Sequence, residues 1–201
     1  MSKTKWEKLL SSDREGENAN DQPVDAVRSP FMRDYDRIIF SSAFRRLKDK
    51  TQVFPLAKSD YVRTRLTHSL EVASVGRSLG YLAGEEIEKK KHLPKKLSRE
   101  DTATIVATAC LAHDIGNPPF GHSGEAAIQE WFASDGKRFL KDMSSKEQQD
   151  LLQFEGNAQG FRILSRLQHP DQNGGLRLTY AALGTITKYP RESHVLNCIQ
   201  I

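Results

Sequence analysis

Fourteen consecutive residues, Ala112-His113-Asp114-Ile115-Gly116-Asn117-Pro118-Pro119-Phe120-Gly121-His122-Ser123-Gly124-Glu125, gather two imidazoles, two carboxylates, three glycines and two prolines into one stretch. They follow a run of small apolar residues, Ile105 to Leu111, that reads as a buried helix. Such a helix delivers His113 and Asp114 to a sharp Gly/Pro turn, where an unpaired buried charge is costly. Adjacent helical residues point about 100° apart, so both side chains can turn toward one ion at the helix end.

A metal site needs a third donor, and His68 is the best candidate, in Arg65-Leu66-Thr67-His68-Ser69-Leu70-Glu71 with leucines on either side. Two imidazoles and a carboxylate make a mixed nitrogen and oxygen site for Mn²⁺, Fe²⁺, Zn²⁺, Mg²⁺ or a related divalent ion. The alternative is that His68 is a core histidine satisfied by its neighbours. His122 and Glu125 lie three residues apart, the spacing that brings side chains together on a helix. A carboxylate beside an imidazole fixes its tautomer and raises its basicity, which suits proton transfer near a metal. Alternatively, His122 caps the helix and Glu125 is a first-turn carboxylate that complements the helix dipole.

The elements that must hold these residues are helical. Residues 11–30 are polar and turn-rich and read as an arm or surface loop. From Phe31 to Lys50, Tyr35, Ile38, Ile39, Ala43, Phe44 and Leu47 recur at helical steps and predict one amphipathic helix. Gln52 to Leu56 reads as a short extended piece, with Pro55 against a helix. From Thr64 to Lys91, Leu66, Leu70, Val72, Ala73, Val75, Leu79, Leu82 and Ile87 predict a long helix ending in a solvated lysine run. Ser98-Arg99-Glu100-Asp101 has the form of a capping box that starts the helix leading to His113. A further helix is expected from about Ser123 to Asp135, one or two between Ser144 and Gln168, and a last one from Leu176 to Tyr189. No strand alternation of any length occurs. The expectation is an all-α fold with a polar arm over residues 1–30 and one domain over residues 31–201.

Composition bounds the function classes. At 201 residues, 37% hydrophobic and 28% charged, the chain has the makeup of an ordinary globular protein. No window approaches eighteen uncharged apolar residues, and the N-terminus lacks the apolar core of a signal peptide, so no membrane partner and a cytoplasmic location are expected. Cys110 and Cys198 are too few for a disulfide framework or a thiolate metal site. The net charge of +4 is unevenly placed: Arg45, Arg46, Lys48, Lys50, Lys58, Arg63 and Arg65 face only Asp49 and Asp60 in their segment. That segment suits a polyphosphate or a nucleic acid backbone, or is simply a solvated basic face.

His68 followed by His113-Asp114 resembles the signature of the HD-domain metal-dependent phosphohydrolases. Within that superfamily, Arg65 to Val72, Ala112 to Glu125 and Phe154-Glu155-Gly156-Asn157-Ala158-Gln159 resemble the deoxyguanosine triphosphate triphosphohydrolases. The likeness runs from about Arg33 to Pro190, and three ordered motifs make it specific. It implies the HD-domain helical fold and an enzyme that splits a deoxynucleoside triphosphate between the α-phosphate and the sugar oxygen, releasing deoxynucleoside and tripolyphosphate. It implies His68, His113 and Asp114 as ligands of a divalent ion, Mn²⁺ or Mg²⁺ first and Fe²⁺, Co²⁺, Ni²⁺ or Zn²⁺ as alternatives. His122 and Glu125 would be the proton-transfer dyad, Gln52 and Val53 would line the sugar and base pocket, Arg65 would contact phosphate, and Asn157 would line the nucleotide pocket. For Gln52, Val53 and Asn157, capping and packing are the competing explanations.

In that family the metal site has a fourth protein ligand, an Asp on a helix well downstream of the Phe-Glu-Gly-Asn motif. No such motif follows Ser193 here, and Asp150 and Asp171 lie outside any matching motif. The expectation is therefore the N-terminal part of a longer family domain. Relatives form rings, so a homo-oligomer is expected. The alternatives are another HD phosphohydrolase, such as a nucleotidase or phosphodiesterase, or a non-catalytic remnant that binds nucleotide or single-stranded nucleic acid through Arg45 to Arg65.

Overall fold

In a computed structural model of the protein, residues 3–17, 27–50 and 64–193 are described. They form nine α-helices: α1 (Lys3–Leu9), α2 (Pro30–Phe40), α3 (Ser42–Arg45), α4 (Arg65–Lys89), α5 (Arg99–Ala112), α6 (His122–Ala133), α7 (Ser145–Leu152), α8 (Gly156–Arg162) and α9 (Tyr180–Ile186). Among the described residues no strand forms, and an isolated β bridge pairs Arg14 with Thr179. The fold is all-α, as the helical periodicity predicts. No helix among the described residues is long and apolar enough to cross a membrane.

Helix α5 begins where the capping box places it: Ser98 Oγ accepts from the Asp101 N–H, and Asp101 Oδ2 accepts from the Ser98 N–H. Nine of its fourteen residues are buried, from Thr102 to Ala112, because it is enclosed by α2, α4 and α9. A helix buried on every side cannot be amphipathic, and its polar groups must be satisfied internally. Thr104 and Thr108 do this by donating their hydroxyls to the carbonyls of Glu100 and Thr104, one turn back. The main core gathers Ile38, Phe44, Leu47, Leu111, Ile115, Leu164, Leu178 and Leu183 around the C-terminal end of α5.

The α4 seam differs from the sequence expectation. Its buried residues are Arg65, Ser69, Ala73, Gly76, Gly80, Gly84 and Ile87, whereas Leu70, Val75, Leu79 and Leu82 are exposed. Glycines, not leucines, face α5. A Cβ on Gly80 would stand 2.9 Å from Ala103 Cα and Val106 Cβ, and one on Gly76 would stand 2.4 Å from Cys110 Sγ. The two helices touch backbone to side chain with no room for a methyl group.

The single helix expected over Phe31 to Lys50 is two helices and a 3₁₀ turn. At Ser41 the backbone is extended (φ −68°, ψ 145°), and Ser41 Oγ accepts from the Phe44 N–H to start α3. The apolar period continues across the break because both segments present their apolar side chains to the same core, so the pattern alone did not reveal it. The helix from residue 144 onward divides at Gln153, and α8 runs into a π-helical turn, Ile163–Leu167.

Arg14, in the stretch whose composition suggested a surface loop, is 3% exposed. Its guanidinium donates to Asp34 Oδ1 at 2.5 Å, to the Pro30 carbonyl at 2.7 Å and to the Arg177 carbonyl. Asp34 Oδ2 accepts from the Thr179 N–H and hydroxyl, so one buried ion pair ties residues 13–17, α2 and the start of α9 together. Burial pushes the Asp34 carboxyl above its ordinary value, with Arg14 and Thr179 opposing the shift.

Gly→Ala in a helix interior ordinarily stabilises by about 0.5–1 kcal/mol; Gly184→Ala, with open space around it, should do so in urea unfolding. Gly80→Ala should instead destabilise by about 1–3 kcal/mol, because overpacking outweighs propensity; equal shifts for the two variants would contradict the seam. Arg14→Leu strands the Asp34 charge and should cost about 3–5 kcal/mol near neutral pH. A carboxyl with a raised folded-state pKa contributes stability below its unfolded value that is lost as pH rises through the folded one. The Arg14→Leu deficit should therefore shrink on acidification toward pH ~4, as urea titrations at several pH values would show.

Candidate functional site

The site forms where α5 ends. His113 occupies the C-cap position (φ −57°, ψ −29°), and its Nδ1 lies 2.7 Å from the Cys110 carbonyl. A carbonyl only accepts, so Nδ1 carries the proton and Nε2 presents a lone pair. Asp114, 4% exposed, follows in the turn that the Ile115 and Asn117 N–H groups close onto the Ala112 and Asp114 carbonyls.

His68 lies one turn into α4, and its ring meets that of His113 edge to face with centroids 5.2 Å apart. One donor atom each from His68, His113 and Asp114 all lie within 4.8 Å of one another, and among the described residues no other group of three or more His, Cys, Asp or Glu does so. Asp150 and Asp171 do not join it; Asp150 instead accepts from Ser193 Oγ.

The donors fit a divalent cation. Asp114 Oδ1 accepts from Asn117 Nδ2 at 2.6 Å. Asp114 Oδ2 is buried and stands 2.9 Å from Arg65 Nη1, yet no N–H is directed at it, so it has no hydrogen bond. The pair is a charge contact that leaves a carboxylate lone pair free. A buried carboxylate oxygen without a hydrogen bond is costly unless a cation completes it. Arg65 is itself 7% exposed, and its N–H bonds the Lys50 carbonyl.

The chain then makes a tight turn. Phe120 (φ +66°) and Gly121 (φ +56°) are both left-handed, and for the exposed Phe120 this is strained backbone of the kind held at functional sites. The turn starts α6 so that His122 is its first residue, with its side chain 99% exposed, while Glu125 is buried one turn on. His122 Nδ1 lies 2.6 Å from Glu125 Oε2. Glu125 Oε1 accepts the Gly156 N–H at 2.7 Å, so the carboxylate is held from both sides and His122 Nε2 faces solvent.

Glycines again allow the contact. A Cβ on Gly116 would lie 2.1 Å from the Gly156 carbonyl oxygen and the Gly160 nitrogen, so the turn rests directly on the α8 backbone. Asn157 sits on α8, but its amide bonds Glu155 Oε1 at 2.5 Å, and it lines a separate cavity of about 240 Å³ with Phe161, Lys188 and Tyr189. Gln52 and Val53 lie outside the described residues.

Two neighbours escaped the sequence reading. Asn117 orients Asp114, and the half-buried Lys50 donates from Nζ to the Asn117 carbonyl at 2.8 Å. Lys50 belongs to the basic segment, which was the one available signal for it.

The HD domain family matches residues 65–166, which contain His68, His113, Asp114, His122 and Glu125. A Pseudomonas aeruginosa protein named deoxyguanosinetriphosphate triphosphohydrolase-like protein is 55% identical over 188 residues, covering 92% of this chain and 41% of its own length. A Synechocystis protein of the same name is 53% identical, with 94% and 43% covered. A deoxyguanosinetriphosphate triphosphohydrolase of Enterobacter is 43% identical over 192 residues, 80% of this chain and 36% of its own length. The chain thus spans about two-fifths of the length of the curated relatives it matches. With its histidine and aspartate motifs inside the matched segment and its helices in place, the chain belongs to the HD-domain family.

Proposed function

We propose that this chain carries the metal and proton-transfer residues of a deoxynucleoside triphosphate triphosphohydrolase, with dGTP as the first substrate to test. The observation that carries the reading is the convergence of His68, His113 and Asp114 in the same turn system as the His122–Glu125 pair. The names of the relatives support the substrate class.

His68, His113 and Asp114 would hold the divalent ion, with Mn²⁺ or Mg²⁺ the leading choices. When bound, the ion supplies Lewis-acid neutralisation of phosphate charge. Arg65, beside Asp114, adds a fixed positive charge for the anionic phosphate. Water adds to the α-phosphorus, the bond to the 5′ oxygen breaks, and tripolyphosphate departs from the deoxynucleoside. The 5′ oxygen is a poor leaving group and needs a proton. Glu125 stabilises the His122 imidazolium through Nδ1 and turns Nε2–H outward to deliver that proton. General acid catalysis of this kind contributes about 10²- to 10⁴-fold. Gln52 and Val53 would contact sugar and base, and Asn157 would line the nucleotide pocket.

Incubation with Mn²⁺ and dGTP should give deoxyguanosine and tripolyphosphate; monophosphate with pyrophosphate would point to a different HD phosphohydrolase, and binding without turnover to a non-catalytic one. His122→Ala should lower kcat by about 10²- to 10⁴-fold with Mn²⁺ affinity unchanged. His113→Ala should weaken Mn²⁺ binding in calorimetry by more than the roughly 10- to 100-fold that loss of an outer-shell partner costs.

A further inference from the structure

Helix α6 directs two side chains, not one, at the loop between α7 and α8. Glu125 and Gln129 lie four residues apart and so share a face of the helix. Glu125 Oε1 accepts the Gly156 N–H at 2.7 Å, and the half-buried Gln129 donates from Nε2 to the Phe154 carbonyl at 2.8 Å. Four helical residues rise about 6 Å, and two extended residues span about 6.5 Å. Glu155, between the two loop partners, is extended (φ −140°, ψ 132°). The loop therefore runs antiparallel to α6, with the Phe154 carbonyl and the Gly156 N–H in register with Gln129 and Glu125.

The register leaves no slack at Gly156. A Cβ there would stand 2.2 Å from Asn117 Oδ1 and 2.8 Å from Glu125 Oε1, so the loop backbone is wedged between those two side chains. The buried Glu125 carboxylate has two oxygens to place: Oε1 takes the Gly156 N–H, and Oε2 lies 2.6 Å from His122 Nδ1. A carboxylate only accepts, so Nδ1 carries the proton of the neutral imidazole and Nε2 is left to face outward. Withdrawal of the Gly156 N–H would leave Oε1 a buried acceptor without a donor, which is costly. Turning the carboxylate toward water would relieve that cost and break the contact with His122.

We propose that Gln129 is a positioning residue for the proton-transfer pair. By holding the Phe154 carbonyl it keeps the Gly156 N–H on Glu125, and through Glu125 it fixes the tautomer and aim of His122. The consequence for catalysis rests on the triphosphohydrolase reading; the geometry does not.

The test uses the whole 201-residue chain and Gln129→Met, which matches glutamine in length and helix preference but has no donor. In ¹⁵N NMR of the metal-free chain, the neutral His122 ring should be held as the Nδ1–H tautomer and the Gly156 amide should be protected from exchange. Gln129→Met should speed Gly156 exchange by about 10-fold, the loss of one hydrogen bond, and let the His122 tautomers mix. Gln129→Arg, which keeps a donor, should restore both. An unchanged His122 tautomer in folded Gln129→Met would overturn the proposal whatever Gly156 does, as would an unaltered chain without the Nδ1–H preference. If Gln129→Met does not fold, Gln129→Glu, of the same size and without a donor near neutral pH, takes its place. With Mn²⁺ and dGTP, Gln129→Met should lower kcat by about 10-fold and leave Mn²⁺ affinity unchanged; an equal fall in both would put the effect at the metal donors and overturn the positioning role. If the unaltered chain releases no tripolyphosphate, the reaction reading fails while the NMR result still decides the role of Gln129.

Discussion

The close approach of α4 and α5 is the constraint on which the site depends. Helices bearing ordinary side chains pack with axes about 8–10 Å apart; Gly76, Gly80 and Gly84 let α4 settle directly onto Cys110, Val106, Ala103 and Arg99. The two helices run antiparallel, so the seam carries the first turn of α4 to the last turn of α5. That is how His68 meets His113 with ring centroids 5.2 Å apart. A methyl group anywhere along the seam acts as a wedge at the far end of a lever, and donor atoms confined within 4.8 Å tolerate little of that displacement.

The same device works a second time. Gly116 lies against the backbone of Gly156 and Gly160, which brings the first N–H of α8 to Glu125. Glu125 is thereby fixed from behind while it holds His122 from the front. The two halves of the site are positioned by backbone contacts on either side of one turn, and the strained φ of Phe120 is held between them.

Local signals were legible in the sequence, and cross-chain ones were not. The capping box at Ser98 is a matter of four adjacent residues, so its geometry could be read directly. The histidine and aspartate positions were legible because few residue types can bind a metal. The α4 seam was not, because apolar periodicity counts large side chains, and here the contact is made by residues with none; Val75, Leu79 and Leu82 consequently face outward. The break at Ser41 was hidden because a serine can cap a helix or sit within one, and only the ψ of 145° distinguishes the two. Arg14 was hidden for a related reason: nothing in a polar segment announces that its partner, the buried Asp34, lies twenty residues on.

Charge around Asp114 links these pieces. Arg65 stands 2.9 Å from Asp114 Oδ2 without directing an N–H to it, so it lowers the carboxylate's attraction for a cation without occupying its lone pair. Lys50 adds a second positive charge to the same turn. In isolation both arginine and lysine therefore oppose metal binding. A polyphosphate reverses the sign, since each anionic oxygen placed near Arg65 and Lys50 reduces the repulsion that a divalent ion meets at Asp114. The coupling is reciprocal by thermodynamic necessity: the anion strengthens the cation's binding by the factor with which the cation strengthens the anion's.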